Sequence, residues 1–548
     1  MEEPLIISAQ PWEAELETLN FDYVIVGAGA AGSVLAANLS ENGKYTVCLL
    51  EAGPEDRHRF IHIPAGFTKI LPNPDYVWHF GTVPTEKTAG RSVALPQGKT
   101  LGGSTSVNGM IFVRGLARDF DGWAQMGNSG WSYDDVLPFF RRIERRQGGD
   151  SAFRGTDGPL PVTDVTYREP LSAAFIEGAK ALGLPFNQDY NGRDQFGTGY
   201  YQTIIERGKR VSAATAWLRP ACGRRNLDIR PNSLVSRVII ESGKALGVDT
   251  LHTKTRQPGP RILARREVII SAGAINTPKL LNLSGIGEAE ALRQLGIAVT
   301  HNLPGVGANL QDHYYSTATA RVRGAGTFNE KSRGLRLALE ALRWSFGRPS
   351  LLGLPPSLVQ IFAKSREGLD QPDLQGIFFP ASYGAAGLAE EPGMTCGMWQ
   401  HRPHSRGYVR TTSSDPATSP EIQPNYLQDE TDRQTIVAGL KLARQLLSSA
   451  PIRRYVDAEL SPGPECQSDD EMLDYCYRTG STTFHPIGTA RMGPATDPGA
   501  VVDARLRVHG LSNLRVIDAS VMPTLVSGNT MASTLMLAEK GSADILSV

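Results

Sequence analysis

An α/β fold that begins with a parallel βαβ unit is what the sequence predicts, and three observations near the start of the chain carry the prediction. A buried strand over 21–26, Phe-Asp-Tyr-Val-Ile-Val, runs into Gly27-Ala28-Gly29-Ala30-Ala31-Gly32. A helix of mostly small residues follows over 33–42, and a second strand over 46–50. Glu51 then closes that strand, 19 residues after Gly32. Short apolar runs bounded by glycine suit the buried strands of a parallel sheet. Strand, glycine turn, helix, strand and acid, in that order, define a Rossmann-like dinucleotide-binding unit.

Each residue of this unit has a physical task. Gly27 makes the tight turn, Gly29 lets backbone approach a pyrophosphate, and Gly32 lets the helix lie close on the sheet. Ala30 and Ala31 sit where the unpaired N–H groups of the helix start can face an anion. Glu51 is placed to accept hydrogen bonds from ribose hydroxyls, with Ala52 beside it. The unit does not separate NAD from FAD. A second cluster is more suggestive, Gly98-Lys99-Thr100-Leu101-Gly102-Gly103-Ser104-Thr105-Ser106-Val107-Asn108-Gly109. Its consecutive small residues would let backbone lie flat against a large planar ring, with amides and Asn108 as polar contacts. Met110 to Gly115 follows as a packed element. Further strands are expected over 227–230, 235–240 and 267–273, with Val235 and Val238 as core residues.

At 548 residues the chain should form roughly two to four units. Hydrophobic content of 41% and charged content of 20% describe a globular protein. Lys+Arg and Asp+Glu balance at 56 each, so no global field draws the chain to nucleic acid or another polyanion. The cysteines, Cys48, Cys222, Cys396, Cys466 and Cys476, are odd in number and lack a CxxC pair. Neither a disulfide framework nor a metal site is indicated, and a reducing, cytoplasmic setting fits. The leader Met1-Glu2-Glu3-Pro4 is acidic and its apolar run stops at Ile7, unlike a signal peptide. No stretch approaches the roughly 20 apolar residues of a membrane span.

Near the other end stand two polar residues 44 positions apart, His485 in Thr483-Phe484-His485-Pro486 and Asn529 in Ser527-Gly528-Asn529-Thr530. An imidazole is the usual base near neutral pH, and an amide can hold an oxygen without titrating. Alone, a histidine before proline reads as a capped turn. The glycine signatures upstream are what make the pair a catalytic candidate.

Taken together, these motifs resemble the glucose–methanol–choline (GMC) family of FAD-dependent oxidoreductases. The first family signature corresponds to Gly98 through Gly115, and the second to Gly273 through Gly287. Leu303 through His313, His485 through Gly493 and Arg515 through Pro523 are further family-like stretches. The resemblance runs from Phe21 to Leu546. It implies FAD-binding segments at 15–160, 225–315 and 470–548, with an inserted α+β substrate domain from 161–224 and 316–469. It implies FAD contacts at Val235, Ala272, Gly273, Asp518, Ala519, Asn529 and Thr530, besides those above, with Asp518 fixing backbone rather than acting as an acid. It also implies oxidation of an alcohol by hydride transfer to flavin N5, with His485 as base and Asn529 steadying the substrate oxygen. Electrons would pass to a quinone or another acceptor.

Two positions depart from the family pattern. Val107 stands where some relatives attach FAD through a histidine, so the flavin is expected to be non-covalent. Ala490 replaces a cysteine found in many dehydrogenase-like relatives, and no physical reading of that change presents itself. An alcohol oxidase using O₂ and a lyase on the same scaffold are the alternatives. Asp312 and His313 read either as a structural loop or as residues near the flavin. The stretch 333–344 reads as an amphipathic helix with a buried leucine face, or as a mouth element in peripheral contact with a membrane.

Overall fold

The structure, a computed structural model, describes residues 17–384 and 387–547; the leader Met1–Ile7 lies outside them. Strand β1 (Thr18–Val26) leads through Gly27 into helix α1 (Ala30–Ser40) and strand β2 (Val47–Leu50). The helix starts three residues earlier than the sequence predicts, because Gly29 already adopts the extended N-cap geometry. Its small residues let it lie flat: a Cβ on Gly32 would sit 1.8 Å from the carbonyl oxygen of Gly27. Strands β3 (Leu227–Arg230), β4 (Ser233–Glu241), β5 (Lys244–His252) and β6 (Arg261–Ile270) complete a sheet ordered β3-β2-β1-β6-β5-β4. Leu514–Val516 adds in parallel to the end of β6. The expected strand over 267–273 ends at Ile270, since Gly273, at φ +81°, opens helix α2 (Gly273–Leu283).

Register decides where this sheet can bind a ligand. Val26 pairs with Leu50 on one side and with Ile270 on the other, all in parallel. The turns after β1, β2 and β6 therefore open along one carboxyl edge, where ligands bind in open parallel sheets. Val24 and Ile25 are fully buried beneath that edge, each contributing about 1.5–3 kcal/mol through burial.

A second, antiparallel sheet has strands β7 (Tyr314–Val322), β8 (Val359–Ala363), β9 (Leu374–Phe379), β10 (Gly393–Gln400) and β11 (Val456–Ser461). Their order is β11-β7-β10-β9-β8, and Gly197–Tyr200 extends it beyond β8. Helix α3 (Gly334–Ser345) lies at the periphery, and the long helix α4 (Glu430–Ser448) packs on β7 and β10. Alternation along β7 is strict: Tyr314, Ser316, Ala318 and Ala320 are buried, while Tyr315, Thr317 and Thr319 face a cavity between the sheets.

Two hydrophobic cores underlie the sheets. Ile204, Val211 and Trp217 join the first core. Met472, Tyr475 and Cys476, on helix α5 (Asp469–Thr479), join the second. The chain ends in helix α6 (Thr530–Leu546), which packs along α1.

One expectation fails outright. Helix α3 forms over the predicted stretch, but Leu335, Leu337, Leu339 and Leu342 do not bury against the protein; all are exposed, and the buried residue of the helix is Glu340.

Candidate active site

A cavity of about 780 Å³ runs from the carboxyl edge of the first sheet to the face of the second. Gly27, Gly29, Ala30, Ala31, Glu51, Ala52, Gly98, Gly103, Ser104, Val107, Asn108, Gly109, Val235, Ala272, Gly273, Asp518, Ala519, Asn529 and Thr530 all line it, as does His485. Gly32, Leu101, Gly102 and Ser106 stand behind the lining. Ser106 donates to the Leu101 carbonyl at 2.7 Å, and a Cβ on Gly102 would lie 2.4 Å from the Ser106 hydroxyl.

The first end of the cavity is a cradle of backbone. Helix α1 has no side-chain cap, so its first N–H groups are open to the cavity beside Gly29. Gly103, at φ +51°, brings the second glycine loop against the first, and a Cβ there would sit 2.6 Å from Gly29 Cα. Buried Glu51 accepts from Ala28 N–H at 2.9 Å through one oxygen and from Gly53 N–H at 2.8 Å through the other. Burial pushes its pKa up to about 7, against those two bonds. Its carboxylate thus builds the turn as well as facing the cavity. Asp518 acts likewise, accepting from Gly273 N–H (2.8 Å), Thr277 Oγ1 (2.6 Å) and Ser520 N–H (2.8 Å). Asn108 lines the cavity with its oxygen already engaged. Its oxygen accepts from Met110 N–H (3.0 Å) and from Arg210 Nη1 (2.7 Å).

The second end holds the polar pair. Asn529 is the N-cap residue of α6, yet its side chain makes no capping bond. Instead Nδ2 lies 3.0 Å from His485 Nε2, and Oδ1 accepts from Gln375 Nε2 at 3.2 Å. His485 Nδ1 lies 2.9 Å from His313 Nδ1 and 2.8 Å from Thr483 Oγ1. His313 Nε2 lies 2.7 Å from the carbonyl oxygen of His401.

That chain of contacts assigns protons. A carbonyl only accepts, so His313 carries its proton on Nε2, and its Nδ1 is an acceptor. His485 must then donate from Nδ1, which leaves Nε2 as a lone pair directed at the Asn529 amide. Burial, with the neighbouring His313 second, holds the His485 pKa well below 6.5. The imidazole is neutral and presents a base.

The histidines meet because two segments run side by side. Gln311 pairs with Ile487, Tyr314 with Thr482, and Thr483 N–H donates to the His313 carbonyl at 3.0 Å. Asp312 locks the crossing: it accepts from the backbone N–H of His313 (2.9 Å) and of His485 (2.8 Å), and from the hydroxyls of Tyr426 and Thr482. Of the two readings of Asp312 and His313, the contacts support the structural one: neither residue lines the cavity, and both brace His485. Arg210 was not singled out in the sequence at all; it is a fully buried guanidinium without a carboxylate partner among the described residues, bound to Ile61 O, Thr105 O and Asn108. Nothing in its local sequence separates it from a surface arginine.

The floor facing His485 is built in rows across three strands. Tyr315, Trp399 and Gln375 form one, Thr317, Gly397 and Ile377 the next, and Thr319, Thr395 and Phe379 the third. No carboxylate or ammonium side chain stands on it.

A dinucleotide-type sheet edge joined through one cavity to a neutral histidine and an oriented amide defines an oxidoreductase-type site. Sequence comparison bears on the same point. Residues 21–315 and 403–538 match the N- and C-terminal models of GMC oxidoreductases, and the chain belongs to that family. It is 40% identical over 533 residues to an alcohol dehydrogenase [acceptor] of Pseudomonas putida, covering 96% of each chain. It is 39% identical over 527 residues to an oxygen-dependent choline dehydrogenase of Brucella anthropi, covering 96% of this chain and 95% of the relative. The crystal structure of pyridoxine 4-oxidase from Mesorbium loti superposes with a TM-score of 0.87 at 32% identity, over 96% of this chain and 99% of that one.

Proposed function

We propose that the protein is an FAD-dependent dehydrogenase of neutral alcohols, passing electrons to a quinone or similar acceptor. The observation that carries this reading is the His485–Asn529 pair, an imidazole Nε2 and an amide Nδ2 held 3.0 Å apart on the cavity wall.

The cradle fits FAD. The uncapped start of α1 and the bare Gly29 suit a pyrophosphate, and Glu51 keeps lone pairs for a ribose. The Gly98–Gly109 loop offers a flat backbone surface. When bound there, FAD supplies the hydride acceptor. Val107 lines the cavity and has no nucleophile, so attachment is non-covalent, and acid precipitation should release all yellow colour into the supernatant.

The remaining work falls to the protein's own side chains. His485 Nε2 takes the hydroxyl proton, and Asn529 Nδ2 donates to the oxygen as negative charge develops on it. Gln375, bonded to Asn529 Oδ1, prevents the amide from turning. The charge-free floor of threonine, isoleucine and aromatic side chains suits an apolar carbon chain or ring.

A second reading is choline, favoured by Tyr315, Trp399, Phe379 and Tyr383 around the cavity, since aromatic faces attract quaternary ammonium groups. Against it stands the lack of a counter-charge on the floor. Anaerobic flavin reduction by 1-octanol or benzyl alcohol but not by choline is expected; preferential reduction by choline overturns the neutral-alcohol reading. Peroxide formed in air at the rate of alcohol consumption would replace the dehydrogenase by an oxidase.

A further inference from the structure

Helix α3 is amphipathic in the inverted sense. Leu335, Leu339, Leu342 and Phe346 follow the spacing i, i+4, i+7, i+11 and form one stripe, yet they are 85%, 60%, 54% and 73% exposed. Polar anchors on the opposite side set this orientation. The Glu340 carboxylate accepts from Leu351 N–H at 2.7 Å, and its carbonyl accepts from the Ser350 hydroxyl at 2.7 Å. Trp344 Nε1 donates to the Gly208 carbonyl, also at 2.7 Å. With those two residues fixed inward, the apolar row must face out.

A basic row borders the stripe. Arg336 and Arg343, seven residues apart, lie on the same side of it, and Arg348 follows the helix. Arg336 reaches Glu330 only at 3.6 Å, a surface pair that is weak and exchanges readily for other anions, and Arg343, itself 58% exposed, reaches the buried Glu340 at 3.3 Å. Arg348 has no ion pair among the described residues. Two copies of this face packed with their helices antiparallel would set these guanidinium rows against one another. An anionic surface with an apolar layer beneath it would satisfy both rows at once.

The helix is tied to segments that line the cavity. Arg333, its N-cap residue, donates to the carbonyls of Leu388 and Ala389 at 3.0 and 2.9 Å, in the hairpin that carries Tyr383. Beyond its other end the chain continues to Pro356 and Ser357. Tyr383, Pro356 and Ser357 all line the cavity.

We propose that α3 docks the protein peripherally on an anionic phospholipid bilayer, turning the rim of the cavity toward the membrane, where apolar alcohols and lipid-soluble acceptors partition. No helix among the described residues is long and apolar enough to cross a membrane, so the attachment is interfacial. The docking rests on the surface alone, while its benefit for apolar alcohols and acceptors rests on the proposed function.

Flotation of the holoenzyme with vesicles tests it. The expected result is binding to phosphatidylcholine vesicles containing about one-third phosphatidylglycerol, little binding to pure phosphatidylcholine, and weakening at about 0.5 M salt. Leu335→Glu with Leu339→Glu should lower binding at least about tenfold while leaving turnover of a water-soluble alcohol at the parental rate. Arg336→Glu with Arg343→Glu should remove the preference for phosphatidylglycerol. Failure of the holoenzyme to float with anionic vesicles overturns the proposal, as does undiminished binding by the leucine variant. A salt-stable dimer that the leucine variant splits, with no vesicle binding by the parent, assigns the face to a second copy instead.

Discussion

His313 Nδ1 lies 2.9 Å from His485 Nδ1, and His313 Nε2 lies 2.7 Å from the His401 carbonyl oxygen. A backbone carbonyl on β10's trailing loop thereby dictates, through one imidazole, which nitrogen of a second imidazole carries a proton. Such control matters because only the tautomer protonated on Nδ1 offers a base at Nε2.

His313→Phe should remove that acceptor and leave Thr483 as the remaining partner of His485 Nδ1. We expect the rate of anaerobic flavin reduction to fall about tenfold to a hundredfold, with flavin content retained. His313→Gln, whose side-chain carbonyl can accept, should recover part of the loss, whereas a purely structural role for His313 predicts no such difference between the variants.

Burial lowers both histidines, His313 to about 4 and His485 well below 6.5. The active form of His485 is neutral, so activity is lost only as pH falls through the depressed value. The rate of flavin reduction should be flat from pH 6.5 to about 8, with its acid limb below 6.5; a limb centred above 6.5 contradicts the burial argument. Stability is a poorer readout. Histidines lowered in the fold favour it above their unfolded pKa and withdraw that support as pH falls, since the unfolded chain binds more protons. Glu51 and Asp312, raised by burial to about 7 and about 6, carry the opposite sign: the support they give at low pH is lost as pH rises through those values.

Glu51→Ala leaves the N–H groups of Ala28 and Gly53 without their acceptor. A loss of about 1–3 kcal/mol in unfolding free energy is expected, together with weaker FAD retention on gel filtration. Unchanged stability would mean that the carboxylate serves the ligand alone.

Gly103→Ala places a methyl group 2.6 Å from Gly29 Cα, at a residue with φ +51°. Backbone on one side must move, and the two loops of the cradle separate. Purified protein should be largely colourless, while His485→Ala protein stays yellow.

The βαβ unit was legible because its signals are local: glycines at fixed spacing, a strand before and an acid after. Glu51 could be picked out by position, although its grip on the glycine turn could not. His313 and Asp312 escaped assignment because their partner lies 172 and 173 residues away, and the pairing of Gln311 with Ile487 leaves no local trace in composition or period. Helix α3 shows a different limit. Its leucine period fixes the helix and the stripe, but the direction of the stripe depends on Glu340 and Trp344 meeting Leu351 and Gly208, contacts that belong to the tertiary structure.

Removal of the alcohol proton by His485 Nε2 is the step on which the proposed chemistry depends. Anaerobic stopped-flow reduction of the flavin by benzyl alcohol, comparing parental protein with His485→Ala, tests it most directly. The variant should keep the parental flavin content and reduce it at a rate lower by about 10²–10⁴-fold. An unaltered rate in the yellow variant would contradict it.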